Sequence, residues 1–152
     1  MLRNQHNSRL ARTTSAAIYF GFILSNPYAA GAGPSVAPAL TVTVAGVRSA
    51  LGTIIVSLCR AGEAFPGGCS MRSSAPATKG ATRVSFASLP PGHYAVALFH
   101  DEDGDGKLTF IKEGIGFSND ANIAYGPPKF SLSAFAVGPT PKSIVVNIKY
   151  LS

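Results

Sequence analysis

The chain has no tryptophan, only two cysteines and only seven acidic residues among 152, none of them before Glu63. Beyond residue 32 no stretch keeps the 3.6-residue apolar period of an amphipathic helix. There is no phosphate-cradling glycine loop, no dinucleotide fingerprint and no Gly-x-Ser-x-Gly elbow. Nucleotide chemistry and elbow-type hydrolysis therefore have no anchor in the sequence. The pI of 9.6 comes from scattered Lys and Arg that form no stripe or cluster, which argues against a nucleic-acid partner. Of three histidines, His6 lies near the N-terminus, and His93 and His100 are seven residues apart on one strand-like run. An odd separation sends two strand side chains to opposite faces, so they cannot share a metal.

The N-terminus has a different character. Arg3, Arg9 and Arg12 precede a weakly polar to apolar run over 13–25, and Ala30-Gly31-Ala32 follows. A basic start, a short apolar stretch and small residues at an A-x-A site are the layout of a secretory signal peptide, here 1–32. The run falls short of the 20 or so residues a spanning helix needs. A retained anchor or a basic tail is the alternative. Cleavage after Ala32 removes three of the thirteen basic residues and no acid, taking the formal charge from +6 to +3. The expected product is periplasmic or secreted, without an integral membrane span. It holds a flexible lead-in over 33–39 and one domain over 40–151, long enough to bury an adequate core.

Within that domain the pattern is two-residue alternation. Leu40, Val42 and Val44 share one face and Thr41 and Thr43 the other, as in a half-buried strand. Ile54, Val56 and Leu58 repeat the pattern, with Ile55 on the opposite face. Val84 and Phe86 form a third strand. In 93–100, Tyr94, Val96 and Leu98 share a face, and His93, Ala95, Ala97 and Phe99 share the other. The small side chains there imply a close neighbour or an edge. A short strand is expected near 134–137 and a closing one over 143–151, with Ile144, Val146, Ile148 and Tyr150 on one face. The irregular stretch 60–80 has room for a further edge strand. With Leu89-Pro90-Pro91-Gly92 and similar turns between them, six to seven strands predict an all-β fold: an antiparallel β-sandwich of immunoglobulin-like or transthyretin-like type. A partly closed barrel is the other solution.

Four of the seven acids fall within five positions, in His100-Asp101-Glu102-Asp103-Gly104-Asp105-Gly106-Lys107-Leu108. Asp101, Asp103 and Asp105 at alternate positions before Gly106 match the start of a calcium loop. A hard cation needs six to eight oxygens from a tightly wound chain. The backbone carbonyl of Lys107 would be a fourth ligand. The twelfth position is Lys112 rather than a bidentate Glu, so the pattern is not an EF-hand. It is a looser site, with calcium as the only cofactor expected and Glu113 or Asp120 as a distal ligand. A solvated turn held by its own Asx hydrogen bonds is the bland reading. Cys59 and Cys69, in an exported chain, are expected to form a disulfide closing a short loop, worth about 3 kcal/mol at most. Two free buried thiols are the alternative, and neither cysteine has the partners of a zinc site.

Four segments occur in a specific order: Leu89-Pro90-Pro91-Gly92-His93-Tyr94-Ala95-Val96, the acidic loop, Gly116-Phe117-Ser118-Asn119, and Gly126-Pro127-Pro128-Lys129-Phe130. Together, over about 40–150, they resemble the bacterial domain of unknown function family 2141, a set of secreted or periplasmic proteins. The resemblance implies a β-sandwich similar to transthyretin-like and carboxypeptidase-regulatory-like domains, and no established activity. Here Asp103 and Asp105 stand where the family usually has asparagine, and Thr109 where it usually has aspartate. The cysteine pair is outside the family pattern. The sequence thus predicts an exported binding or accessory module without catalytic residues, acting on an envelope or extracellular ligand or protein, with a weak structural calcium loop at 101–107. The alternative is a hydrolase using His100 and Asp101 beside the 114–120 loop.

Overall fold

Residues 39–123 and 126–151 are described by a computed structural model. The expected signal peptide lies outside the described residues. The described residues form eight strands: β1 (Leu40–Val47), β2 (Thr53–Arg60), β3 (Met71–Pro76), β4 (Gly80–Phe86), β5 (Gly92–Asp101), β6 (Ile115–Phe117), β7 (Ala134–Val137) and β8 (Lys142–Asn147). All but β3 and β6 lie where the sequence predicted strands. Among the described residues, helix is limited to a 3-10 turn, Ser118–Asp120, and a single α turn, Phe130–Ser133.

The strands form two sheets. One has the order β4-β1-β8. The other runs β3-β2-β5, and β6 and β7 share the free edge of β5 end to end. β7 pairs with Gly92–Ala95 and β6 with Ala97–Phe99. Each of these pairings is antiparallel except β1 with β8, which is parallel. The fold is an all-β sandwich rather than a barrel. An isolated backbone bridge, Ile115 with Lys149, ties the sheet edges without closing them. The described residues hold eight strands where alternation indicated six to seven. β3 is the edge strand hidden in the irregular 60–80 stretch, and β6 is only three residues, too short to show a period.

The inner faces meet in one core. Leu40, Val42, Val44, Ile54, Val56, Leu58, Val84, Tyr94, Val96, Leu98 and Val146 are buried there. Each such aliphatic side chain contributes roughly 1.5–3 kcal/mol of transfer free energy. Tyr94 is fully buried and its hydroxyl donates to the Pro90 carbonyl at 2.7 Å, so its polar end is satisfied.

The outer face of the larger sheet is covered as well. Ile55, Phe99, Ile115 and Phe117 form a second buried cluster, with Phe65, Ala97, Ala121 and Ile123 packed on it. Cys59 is on this face. Its sulfur lies 2.10 Å from that of Cys69, at disulfide distance. The pair therefore staples the 61–68 segment over the sheet. Phe65 in that segment meets Phe117 edge to face, with ring centroids 6.0 Å apart. The Glu63 carboxylate accepts the N–H groups of Arg60 and Ser70, at 2.9 and 3.2 Å. Bonding to Ser70, and then to Arg60, holds that carboxyl below its usual range.

Candidate functional site

The acidic loop leaves the end of β5, where strand alternation separates neighbours. His100 turns into the sandwich and Asp101 onto the outer face. The loop is wound by its own carboxylates. Asp101 is buried and accepts the Gly104 and Gly106 N–H groups, at 2.9 and 3.0 Å. Asp103 accepts Asp105 N–H at 3.2 Å and Asp105 accepts Lys107 N–H at 2.7 Å. Gly106 has φ +75°, a left-handed conformation that costs glycine little.

Asp101, Asp103 and Asp105 each present an oxygen, and these lie within 4.8 Å of one another. Two oxygens bound to one calcium at about 2.4 Å are at most about 4.8 Å apart, so the three carboxylates fit a shared hard cation. The two expected distal ligands are not part of this group. Glu113 is buried and accepts Glu102 N–H at 3.2 Å and Thr109 N–H at 2.8 Å, closing the base of the loop. Asp120 accepts the backbone N–H of Asn147 at 3.0 Å and its side-chain amide at 2.7 Å. Lys107 contributes a backbone N–H inside the loop.

A second polar system backs the loop, and the sequence alone did not reveal it. Arg48 Nε donates to both Glu102 oxygens, at 3.2 and 3.1 Å. A terminal nitrogen donates to the same carboxylate and, at 2.7 Å, to the Lys112 carbonyl. Ser49 Oγ adds a bond of 2.7 Å. Held chiefly by Arg48, the Glu102 carboxyl is lowered to about 2, and the Arg48 guanidinium is raised in turn. Arg48 also stacks over the Tyr150 ring, 4.3 Å from its centroid. Arg48, Glu102, Asp103, Lys112 and Glu113 line a polar hollow of about 380 Å³.

His100 belongs to this system. It is fully buried, with Nδ1 2.8 Å from Tyr150 Oη and Nε2 2.7 Å from the Leu51 carbonyl. A carbonyl only accepts, so Nε2 carries a proton, and in the neutral ring Tyr150 donates to Nδ1. Tyr150 oxygen in turn accepts Arg48 N–H at 3.2 Å. Burial raises the Tyr150 hydroxyl above its usual range. Gly114 is needed here, because a Cβ would lie 2.5 Å from Tyr150 Cε1.

The hydrolase alternative finds no geometry. His100 and Asp101 face opposite sides of β5, and both His100 nitrogens are engaged. Ser118 is buried. Its hydroxyl donates to the Ser133 carbonyl and accepts Val96 N–H at 2.9 Å. It braces β5 against the one-turn helix.

Among the described residues no helix is long and apolar enough to cross a membrane. No curated protein and no solved structure matches the chain. The model of one family, described as "Uncharacterized protein conserved in bacteria (DUF2141)", matches residues 42–145. That span covers nearly the whole sandwich, and the chain belongs to this bacterial family.

Proposed function

We propose that this protein is an exported, non-enzymatic binding module whose 101–107 loop holds calcium weakly as a structural ion. The observation that carries the reading is the convergence of Asp101, Asp103 and Asp105 to within 4.8 Å at the end of the longest strand. Asp101 is buried and fixed by two backbone N–H groups, so its position is already organised. Asp103 and Asp105 are exposed and have oxygens to spare. Like charges this close repel, and a divalent cation relieves the repulsion. The Lys107 carbonyl and water complete the coordination. The cysteine pair, which staples a loop over the outer face of the larger sheet, suits an oxidising compartment, and the basic, then apolar, N-terminus supplies the export signal.

Thermal melting in excess EDTA and then in millimolar calcium tests the site. Binding at tenfold over Kd adds about 1.4 kcal/mol, and the Asp103→Asn/Asp105→Asn variant should lose that increment. An identical melting temperature in EDTA and in calcium would sink the proposal.

A further inference from the structure

The outer face of the larger sheet carries a cavity that a calcium loop does not use. Its floor is one row of paired residues across four strands. Arg72 on β3 pairs with Ser57 on β2, Ser57 with Ala97 on β5, and Ala97 with Phe117 on β6. Large groups end the row and small ones fill its middle, so the row is a trough. Phe99, in the next row on β5, extends the apolar floor. Three segments wall the trough: Pro66-Gly67 from the stapled loop, 106–108 with Phe110 from the acidic loop, and Ile123 with Gly126-Pro127. The space enclosed is about 470 Å³, within the range of small-molecule sites.

The lining chemistry selects an occupant. It is mainly aromatic and aliphatic, and it includes two cations, Arg72 and Lys107, but none of the chain's seven acids. Among the described residues neither cation is in an ion pair. The Arg72 guanidinium lies over Phe99, 5.9 Å from the ring centroid, at the edge of the apolar floor. Phe110 and Leu108, at the wall, are about half exposed, at 52% and 44%. Exposed apolar side chains beside a concave apolar floor are what a ligand covers.

We propose that this cavity binds a small amphipathic carboxylate, with its apolar body on Phe99 and Phe117 and its charged end met by Arg72 and Lys107. An uncharged hydrocarbon would leave both cations without a counter-ion. A cationic amphiphile would meet only like charge. Binding in the trough does not depend on calcium in the neighbouring loop, and titration in EDTA lets the two proposals fail separately.

The chain has no tryptophan, so Phe110→Trp installs a single indole at the wall. Dodecanoate, titrated in the micromolar range, should shift its emission to the blue and saturate at one per chain. Dodecyltrimethylammonium should bind at least tenfold more weakly. Arg72→Glu, on an exposed edge-strand position, should weaken dodecanoate at least tenfold. Ala97→Leu, which fills the middle of the trough, should abolish the shift. If Ala97→Leu does not fold, Lys107→Glu takes its place and should weaken binding in the same sense as Arg72→Glu. The proposal is overturned by no saturation up to millimolar dodecanoate, or by equal affinity for both detergents. It is also overturned by an Arg72→Glu variant that binds like the parent, or by dodecanoate acting only to dissociate a dimer, which would make a second copy the occupant.

Discussion

Tyr150→Phe isolates the contribution of one buried hydroxyl. The substitution keeps the ring, and so keeps both the Arg48 stacking at 4.3 Å and the contact with Gly114. Only the oxygen that joins His100 Nδ1 to Arg48 N–H is lost. The Arg48 amide is near the surface and can turn to water. His100 is fully buried, so its Nδ1 is left without a donor. An unsatisfied buried acceptor costs about 1–3 kcal/mol, and about 2 kcal/mol is expected here. For a domain of this size that corresponds to a fall in Tm of roughly 6–10 °C. Urea unfolding should show a lower midpoint with an unchanged m-value, since the surface exposed on unfolding is the same. A cycle with His100→Leu should give a coupling energy of about 1 kcal/mol, because the two side chains share one bond. A loss below about 0.5 kcal/mol for Tyr150→Phe, well under the cost of an orphaned acceptor, or strict additivity in the cycle, would refute the network.

Three further outcomes rest on the same geometry. Glu102 ionises at about 2 when folded against 4.5 when free, so it stabilises the fold above about pH 4.5, and that stability drains away as pH falls from 4.5 toward 2. The shift alone corresponds to about 3 kcal/mol, cut to about 1 kcal/mol because Arg48 is 38% exposed and the pair is screened. Glu102→Gln should be less stable than the parent at pH 6 and close to it near pH 2, and equal acid sensitivity in urea midpoints would argue against the pair. Gly114→Ala places a methyl 2.5 Å from Tyr150 Cε1 and should cost about 1–3 kcal/mol by overpacking, a cost that a Tyr150→Ala background should remove if the clash is the cause. Cys59→Ser/Cys69→Ser opens a crosslink between residues separated by 10 and should lower stability by about 3 kcal/mol. Reduced parent protein should melt like the variant, and an unchanged melt on reduction would show that the staple contributes nothing.

The sandwich was legible because its determinants are local. The two-residue period of β1, β2, β4, β5 and β8 sorts side chains to inner and outer faces without knowledge of their partners. β3 and β6 were not, for different reasons. β3 is an edge strand rich in serine that buries little, and β6 is held by pairing with β5 rather than by its own pattern. The parallel placement of β8 beside β1 is a tertiary choice that neither strand encodes alone. At the acidic loop, three aspartates at alternate positions announced their convergence. Arg48 and Tyr150 could not be tied to it from sequence, because 54 residues separate Arg48 from Glu102 and 50 separate His100 from Tyr150. Glu113 is visible in the sequence as an acid near the loop. It accepts backbone N–H groups instead, which leaves it outside the aspartate cluster.

The end of β5 shows why adjacency in sequence misled the hydrolase alternative. His100 and Asp101 are neighbours, and a histidine beside an aspartate suggests a reacting pair. In a strand, successive side chains leave by opposite faces, so these two enter separate systems. His100 joins Tyr150, Leu51 and Arg48 behind the sheet, where its nitrogens are consumed by structure. Asp101 winds the loop that runs on to Lys107 and Leu108, the wall of the outer cavity. The same parity places Ala95 and Ala97 on the Asp101 side. The small size of Ala97 is the sequence's trace of that cavity, since a trough across a sheet requires small residues in the middle of a row. The outer cavity is therefore built chiefly from residues that alternate with the core, and it is separate from the aspartate cluster that winds the loop.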